Sequence, residues 1–430
     1  GAIDRNWDPA LLSRGALIHG ETTIFGAEKT AFVTLETHPT AGSTTLTLDT
    51  VPVGWTVGDT LVVAGTAPDD PASDEKVTIT AITGNVITID QPLVRDHVAP
   101  RADLDVHVAN LTRNVEFSSE NDGALNRGHV MLMHTNDADL NFVSFTDMGR
   151  TDKSKPVDDH IFTSDPEQSV GPDLTTVEDL GGTNVRGRYS VHFHRGGTDS
   201  DVEPAIVNGA VVDGDPGWAY VNHSSNVNFT NNVSYDVTGA AYNTEAGDEI
   251  GAFIGNIALR TINPNANLIR PSLLDEFGLV PGEEFPEDFT EPDDRAASQD
   301  FGFEGDGFWL HGANVDMQGN VVSGTTGHAY IYWSFGLVEK GLGEALIDVA
   351  NLPHGHLIGP DGTMIRSKHV PDFHFVLMQN DDIFDLKSFT NTTWKGLSSS
   401  AKDNLKLKLH NTDVESILVF FYNITQSRFH

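Results

Sequence analysis

The stretch Arg186-Gly187-Arg188-Tyr189-Ser190-Val191-His192-Phe193-His194-Arg195 concentrates residues that can do chemistry. In an extended strand, residues two apart share a face. Val191 and Phe193 then turn one way, and His192 and His194 the other. Two imidazoles on one face, flanked by three arginines, can move protons near neutral pH, ligate a metal or grip an anion. A solvated polar face is the plainer alternative. Two later phrases add partners: Val221-Asn222-His223-Ser224-Ser225 and Trp309-Leu310-His311-Gly312-Ala313. His223 lies six residues before Phe229 and His311 six before Met317, and both apolar residues open a similar motif. Between them Tyr242-Asn243-Thr244-Glu245-Ala246-Gly247-Asp248-Glu249 fills the same slot, with about two extra residues at the turn. If these phrases stack as neighbouring strands about 4.8 Å apart, His194, His223, Glu245 and His311 form a column, with His192 and Asp248 at its edge. A slip of one residue would turn part of that column inward.

The elements that must hold such a column are legible as a repeat. Phe229-Thr-Asn-Asn232-Val233-Ser-Tyr235 recurs as Phe253-Ile-Gly-Asn256-Ile257-Ala-Leu259 and as Met317-Gln-Gly-Asn320-Val321-Val-Ser323. A looser copy is Ile206-Val-Asn208-Gly-Ala210-Val-Val212. A period in the low twenties with β-branched residues and a corner Asn marks a coiled β-solenoid, whose rungs bury their apolar faces on each other. The expected fold is all-β: a right-handed parallel β-helix over 106–375, preceded by a small all-β module over 1–105. In that module, Lys76–Thr80 and Val86–Ile89 flank Gly84-Asn85, a hairpin signal. An acidic excursion at about 262–300 interrupts the helix and reads as a solvated flap. Residues 376–430 read as irregular coils or a cap, and His354 and His356 as surface residues. His129, His134 and Asp137 fall on an earlier coil of unassigned register.

Composition bounds the partners. The 430 residues carry 26 Lys+Arg against 62 Asp+Glu, a net charge of −36, which argues against nucleic acid and anionic membranes as partners. There is no cysteine, so no thiol chemistry. The longest apolar run, Ile417 to Tyr422, is too short to span a membrane. The chain reads as the mature part of an exported, extracellular or cell-surface protein.

Several of these phrases carry a family resemblance. Gly54-Trp55-Thr56-Val57-Gly58-Asp59 and Ile82-Thr83-Gly84-Asn85-Val86-Ile87 resemble the eight-glycine β domain. That domain occurs in the cell-migration-inducing hyaluronan-binding protein, the transmembrane cell-surface hyaluronidase and the fibrocystin-like proteins. Gly128-His129-Val130-Met131, Phe145-Thr146-Asp147-Met148-Gly149-Arg150 and Gly187-Arg188-Tyr189-Ser190-Val191-His192-Phe193-His194 are similar to the β-helix attached to it, with bacterial relatives the better match. The resemblance implies an extracellular protein that binds or cleaves a glycosaminoglycan-like acidic polysaccharide, with a divalent cation, calcium or zinc, as the implied cofactor. On that reading Arg188 and Arg195 grip carboxylates, and His194 or His223 serves as general acid or base with Glu245 as partner. Asp248 is the second carboxylate if the chemistry is hydrolytic. Trp309 and His311 line the sugar. In a second version His192, His194, His223 and His311 ligate a metal. The rival from another class is a non-catalytic polysaccharide-binding protein or adhesin.

Overall fold

The computed structural model describes residues 11–157, 182–266 and 301–334 except 68, 121, 122, 312 and 313. It also describes a few earlier residues and the backbone of short strands at 161–162, 177–179 and between 357 and 423. Most of the acidic excursion, His354, His356 and Leu405–Leu409 lie outside the described residues.

The repeat winds as a parallel β-helix with three faces. The first face stacks Gly15–Ile18, His129–Met133, Val191–Gly197, the start of Tyr220–Thr230, Ala240–Thr244, Asp306–Leu310 and Tyr330–Ser334, all parallel. The second stacks Thr22–Phe25, Ala138–Asn141, Ala205–Asn208, the end of Tyr220–Thr230, Ile250–Ile254 and Val315–Gln318. Six strands from Val115–Ser118 to Val321–Thr325 make the third.

Alternation explains the interior. Val191, Phe193, Val207, Phe229, Phe253 and Phe308 turn inward into one continuous core. Tyr220, Tyr242, Phe308 and Tyr330 stack along the first face at 4.9, 4.6 and 5.1 Å between ring centroids. Each such ring buries enough apolar surface to contribute about 2–3 kcal/mol against exposure.

Corners need residues in the left-handed region, which L side chains with a Cβ resist. The corner after the second face is filled in successive coils by Phe142, Gly209, Asn231, Gly255 and Gly319, with φ between 53° and 63°. The corner after the first face is filled by His134, Arg195 and Ser224, with φ of 56°, 56° and 47°. Beside the second corner runs the asparagine ladder. The Asn232 amide nitrogen donates to Asn256 Oδ1 at 3.0 Å, and Asn256 Nδ2 donates to Asn320 Oδ1 at 3.0 Å. The upstream copy needs correction: Ala210, not Asn208, occupies the ladder position, and its backbone N–H donates to Asn232 Oδ1 at 2.8 Å. Asn208 instead accepts from Thr230 and Asn231.

The small module is a six-stranded antiparallel sheet from Phe32–Thr34 to His107–Asn110, closed on itself by the Leu35–Leu48 bridge. The Gly84-Asn85 turn joins Thr83 to Val86 as a hairpin. The module follows the second-face strand of the first coil, so Gly15–Phe25 already belongs to the helix. It packs on the third face through Val62, Ala64 and Leu111 against Val211, Val233, Ile257 and Leu259. Polar links surround that contact. Lys76 pairs with Asp213 at 3.1 Å, and Tyr235 donates to Asp74 at 2.9 Å. Among the described residues beyond Ser334 the pairing is antiparallel: Tyr330–Ser334 pairs with Ile417–Asn423, which pairs with Phe373–Gln379. No described helix is long and apolar enough to cross a membrane.

Candidate functional site

The register brings the column together. His194 sits opposite His223 across adjacent first-face strands, and Asn222 sits opposite Thr244, which puts Glu245 beside His223. Thr244 is opposite Leu310, which places His311 on the next coil. The column therefore runs in the order read from the repeat.

Its centre differs from the reading in one respect: His192 is a core member, not an edge. It is 1 % exposed, and its Nε2 lies 3.5 Å from Glu245 Oε2. Its other ring nitrogen, Nδ1, lies 3.0 Å from the Gly187 carbonyl. A carbonyl only accepts, so Nδ1 carries the proton and Nε2 presents a lone pair to the cluster. The ring of His194 meets that of His223 edge-on at 4.6 Å. His223 Nδ1 lies 3.0 Å from Glu245 Oε2, close enough for an ion pair but without hydrogen-bond alignment. His192 Nε2, His194 Nδ1, His223 Nδ1 and Glu245 Oε2 are all buried atoms without a hydrogen-bond partner. Ligand atoms of the three histidines fall within 4.8 Å of one another.

Electrostatics separates the imidazoles. Burial pushes His192 down to about 4 against the pull of Glu245. His194 goes down to about 2, by burial first and then by its histidine neighbours. Burial also disfavours the charged form of His223, but Glu245 outweighs it and raises the value. Glu245 is buried too, yet His223, His192 and Arg186 hold its carboxyl well below the usual range. Three basic rings and one carboxylate thus converge with unequal proton affinities.

Four expected residues are not where the reading put them. Arg188 is buried, and its Nε donates to the Leu11 carbonyl at 3.1 Å, so it ties the chain start to the helix and offers no fork to a ligand. Trp309 is fully buried, stacked on Phe301 at 4.3 Å, because the segment re-entering the helix at Phe301 covers it. Asp248 is exposed on the turn. The neighbouring Glu249 is the buried carboxylate, accepting from the Ser224, Ala246 and Gly247 amides and so bracing Glu245 from below. His311 stands outside the group of converging ligand atoms; its Nδ1 donates to the Glu245 carbonyl at 2.8 Å and fixes that backbone. Arg195 does meet the expectation of position. It is exposed at the left-handed corner next to His194.

Two contributors had no residue-type signal. The Gly187 carbonyl acts through its backbone, and only the Gly-Arg-Tyr phrase marks the spot. Asp215, fully buried, accepts from Ser190 Oγ at 2.5 Å and from the Ser190 and Gly217 amides, anchoring the start of the histidine strand. Of the upstream residues, His129 is buried opposite Gly15, where a side chain would collide with its ring, and His134 lies exposed beside His19.

Comparison with known proteins agrees with this architecture. The family profile of the CEMIP β-helix matches residues 159–345. A G8 domain-containing protein of Dictyostelium discoideum is 30% identical over 200 residues, 46% of this chain and 15% of that protein. Another from the same organism is 26% identical over 298 residues, 68% of this chain and 17% of its own length. The chain therefore spans only 15–17% of these two relatives. Among solved structures, the gp54 tailspike of Acinetobacter baumannii bacteriophage AP22, in complex with capsular saccharide, aligns with 71% of this chain and 59% of its own. The identity is 10% and the TM-score 0.19. The chain thus resembles proteins that carry a G8 domain and, over residues 159–345, the β-helix of the CEMIP kind.

Proposed function

We propose that this chain is an extracellular polysaccharide-degrading enzyme that cleaves an acidic, glycosaminoglycan-like glycan on the outer face of the β-helix. The observation that carries the reading is the meeting of His192, His194, His223 and Glu245, with buried unsatisfied atoms, beside the exposed cation Arg195. A stability-only design would not gather such atoms, because a buried polar atom left unpaired costs about 1–3 kcal/mol, and His192 Nε2 and His194 Nδ1 have no hydrogen-bond partner. Arg195 can pair bidentately with a uronate carboxylate at the rim. His223, kept charged by Glu245, suits donation to the leaving oxygen, and the rings of His192 and His194, kept neutral by burial, offer lone pairs beside it. The alternative division of labour is a divalent cation held by the same residues, which would neutralise the uronate before a proton leaves its C5. Hydrolysis by paired carboxylates has less support, since Asp248 faces solvent and Glu249 is engaged by three amides.

The test is incubation of the purified protein with a panel of acidic polysaccharides, with and without chelator, followed by product size and unsaturated-sugar absorbance. Shortened chains with that absorbance are expected and identify a lyase; shortened chains without it identify a hydrolase. The double variant His194→Ala/Glu245→Ala should abolish turnover. Intact polymers that nevertheless bind would make the protein an adhesin and end the enzymatic reading.

A further inference from the structure

We infer that His192, His194, His223 and Glu245 bind a first-row transition-metal ion of the zinc type and do not form a calcium site. The inference rests on the cluster being the functional centre proposed above, and it names the cation class that centre takes. The donor set decides the class. Calcium requires six to eight oxygen ligands, whereas the converging ligand atoms are three imidazole nitrogens, with Glu245 Oε2 beside two of them, 3.5 Å from His192 Nε2 and 3.0 Å from His223 Nδ1. Three imidazole nitrogens and one carboxylate instead match the donors of tetrahedral zinc.

The independent observation is the state of His192. It is 1 % exposed, deep in the wall, and its Nε2 is buried without a hydrogen-bond partner while aimed at the cluster. The Gly187 carbonyl locks the tautomer that leaves that lone pair free. A ligating histidine commonly donates its second ring N–H to a carbonyl or carboxylate in this way, which fixes the ring and raises its basicity. His194 Nδ1 and His223 Nδ1 are likewise buried and unsatisfied, as is Glu245 Oε2. One cation would satisfy all four atoms together. Zinc–nitrogen bonds are about 2.0–2.1 Å, so nitrogens spread over as much as 4.8 Å need only modest ring rotations to close on a shared ion. His311 already donates to the Glu245 carbonyl and so holds the carboxylate's backbone instead of ligating. Once an ion is bound, the imidazoles serve as ligands, and the proton chemistry of the free rings belongs to the metal-free protein.

The experiment strips the full chain with chelator, then offers Zn²⁺, Co²⁺ or Ca²⁺ and measures bound metal after gel filtration, with the cobalt visible spectrum as a second readout. About one equivalent of zinc or cobalt per chain is expected, with nitrogen-ligand cobalt bands, and calcium should not displace zinc. His192→Gln and His223→Ala should each weaken binding by more than the roughly 100-fold that loss of an outer-shell partner can cost. Substituting the exposed His38 of the module should change nothing. Displacement of zinc by calcium, no stoichiometric zinc or cobalt, or full zinc binding by both variants would overturn the inference. The zinc–calcium competition uses the unmodified protein, so it decides even if a variant fails to fold. Bound zinc with intact polymers would keep the metal site and remove the depolymerase; shortened polymers without bound metal would do the reverse.

Discussion

Arg195 and Trp309 show how two residues of similar promise separate once their surroundings are known. Arg195 stands in water with its backbone in the left-handed region, a conformation that proteins retain chiefly where the surroundings or the function demand it. Trp309 lies fully buried, stacked under Phe301 with Trp218 beside it. Replacement by alanine should therefore divide cleanly. Arg195→Ala should leave the melting temperature nearly unchanged, within about 0.5 kcal/mol of stability. It should raise KM for an acidic glycan about tenfold or more, because a charge-assisted bond of about 1.5–3 kcal/mol is lost. Trp309→Ala should do the opposite, costing about 3–5 kcal/mol of stability through the cavity left behind. Parallel thermal scans and steady-state kinetics on the two variants check both halves. A large KM effect from Trp309→Ala in a fully folded variant would show that the ring reaches substrate after all.

Elements, more than single residues, were what the sequence made visible. The Asn repeat at its regular spacing and the alternation of Val191, His192, Phe193 and His194 were enough to place coils, faces and the column. Both patterns follow from backbone periodicity, which is local. What escaped was non-local. Nothing around Trp309 reveals that Phe301 will return to cover it, and nothing around Arg188 reveals the Leu11 carbonyl waiting 177 residues upstream. The copy at Asn208 misled because a ladder position needs only a backbone N–H, which Ala210 supplies. The ladder itself should prove energetic. Asn256→Ala removes the acceptor of the Asn232 backbone N–H and of one Asn232 side-chain N–H, and the side-chain donor to the Phe229 carbonyl, all in the dry interior. A cost of about 2 kcal/mol or more is expected in denaturant unfolding, with a coupling to Asn232→Ala of about 0.5–3 kcal/mol in a double-mutant cycle. The module has its own keystone in the Gly58-Asp59 phrase. Asp59 is 3 % exposed and accepts from Lys29 at 2.7 Å, from the Thr56 amide and from Asn110. Burial opposes its charge, but those donors outweigh it and hold the carboxyl below the usual range. A depressed carboxylate contributes stability above its unfolded value near 3.9 and loses it as pH falls through the folded value. Asp59→Asn should thus cost about 3–5 kcal/mol at pH 7, as breaking a buried ion pair does. The difference from the wild type should shrink steadily below about pH 4. A penalty that stays constant down to pH 2 would mean the ion pair is not its source.

At the scale of the whole molecule the proposed chemistry meets an obstacle, and the obstacle makes a prediction. A chain of net charge −36 repels an acidic polymer at long range, while the attraction that would dock one is local: Arg195 at the rim, together with the cation proposed for the cluster behind it. The two fields respond differently to salt. The Debye length falls from about 30 Å at 0.01 M to about 8 Å at 0.15 M. That range removes the long-range repulsion yet leaves contacts of a few ångströms nearly intact. Association with an anionic partner steered by a basic surface slows as salt is added. Here kcat/KM on an acidic glycan should instead rise between 10 and 150 mM salt, then level or decline only when screening reaches the contact itself. A neutral glycan of the same length, used as competitor, should show no such rise. Rates measured across that salt series, for the wild type and Arg195→Ala, separate the two fields. The variant should keep the rise, which belongs to the whole charge, and lose the high-salt decline, which belongs to the one arginine. A monotonic fall for the wild type from the lowest salt would place a basic surface in the docking path, and with it a binding mode other than the one built here around the histidine strand.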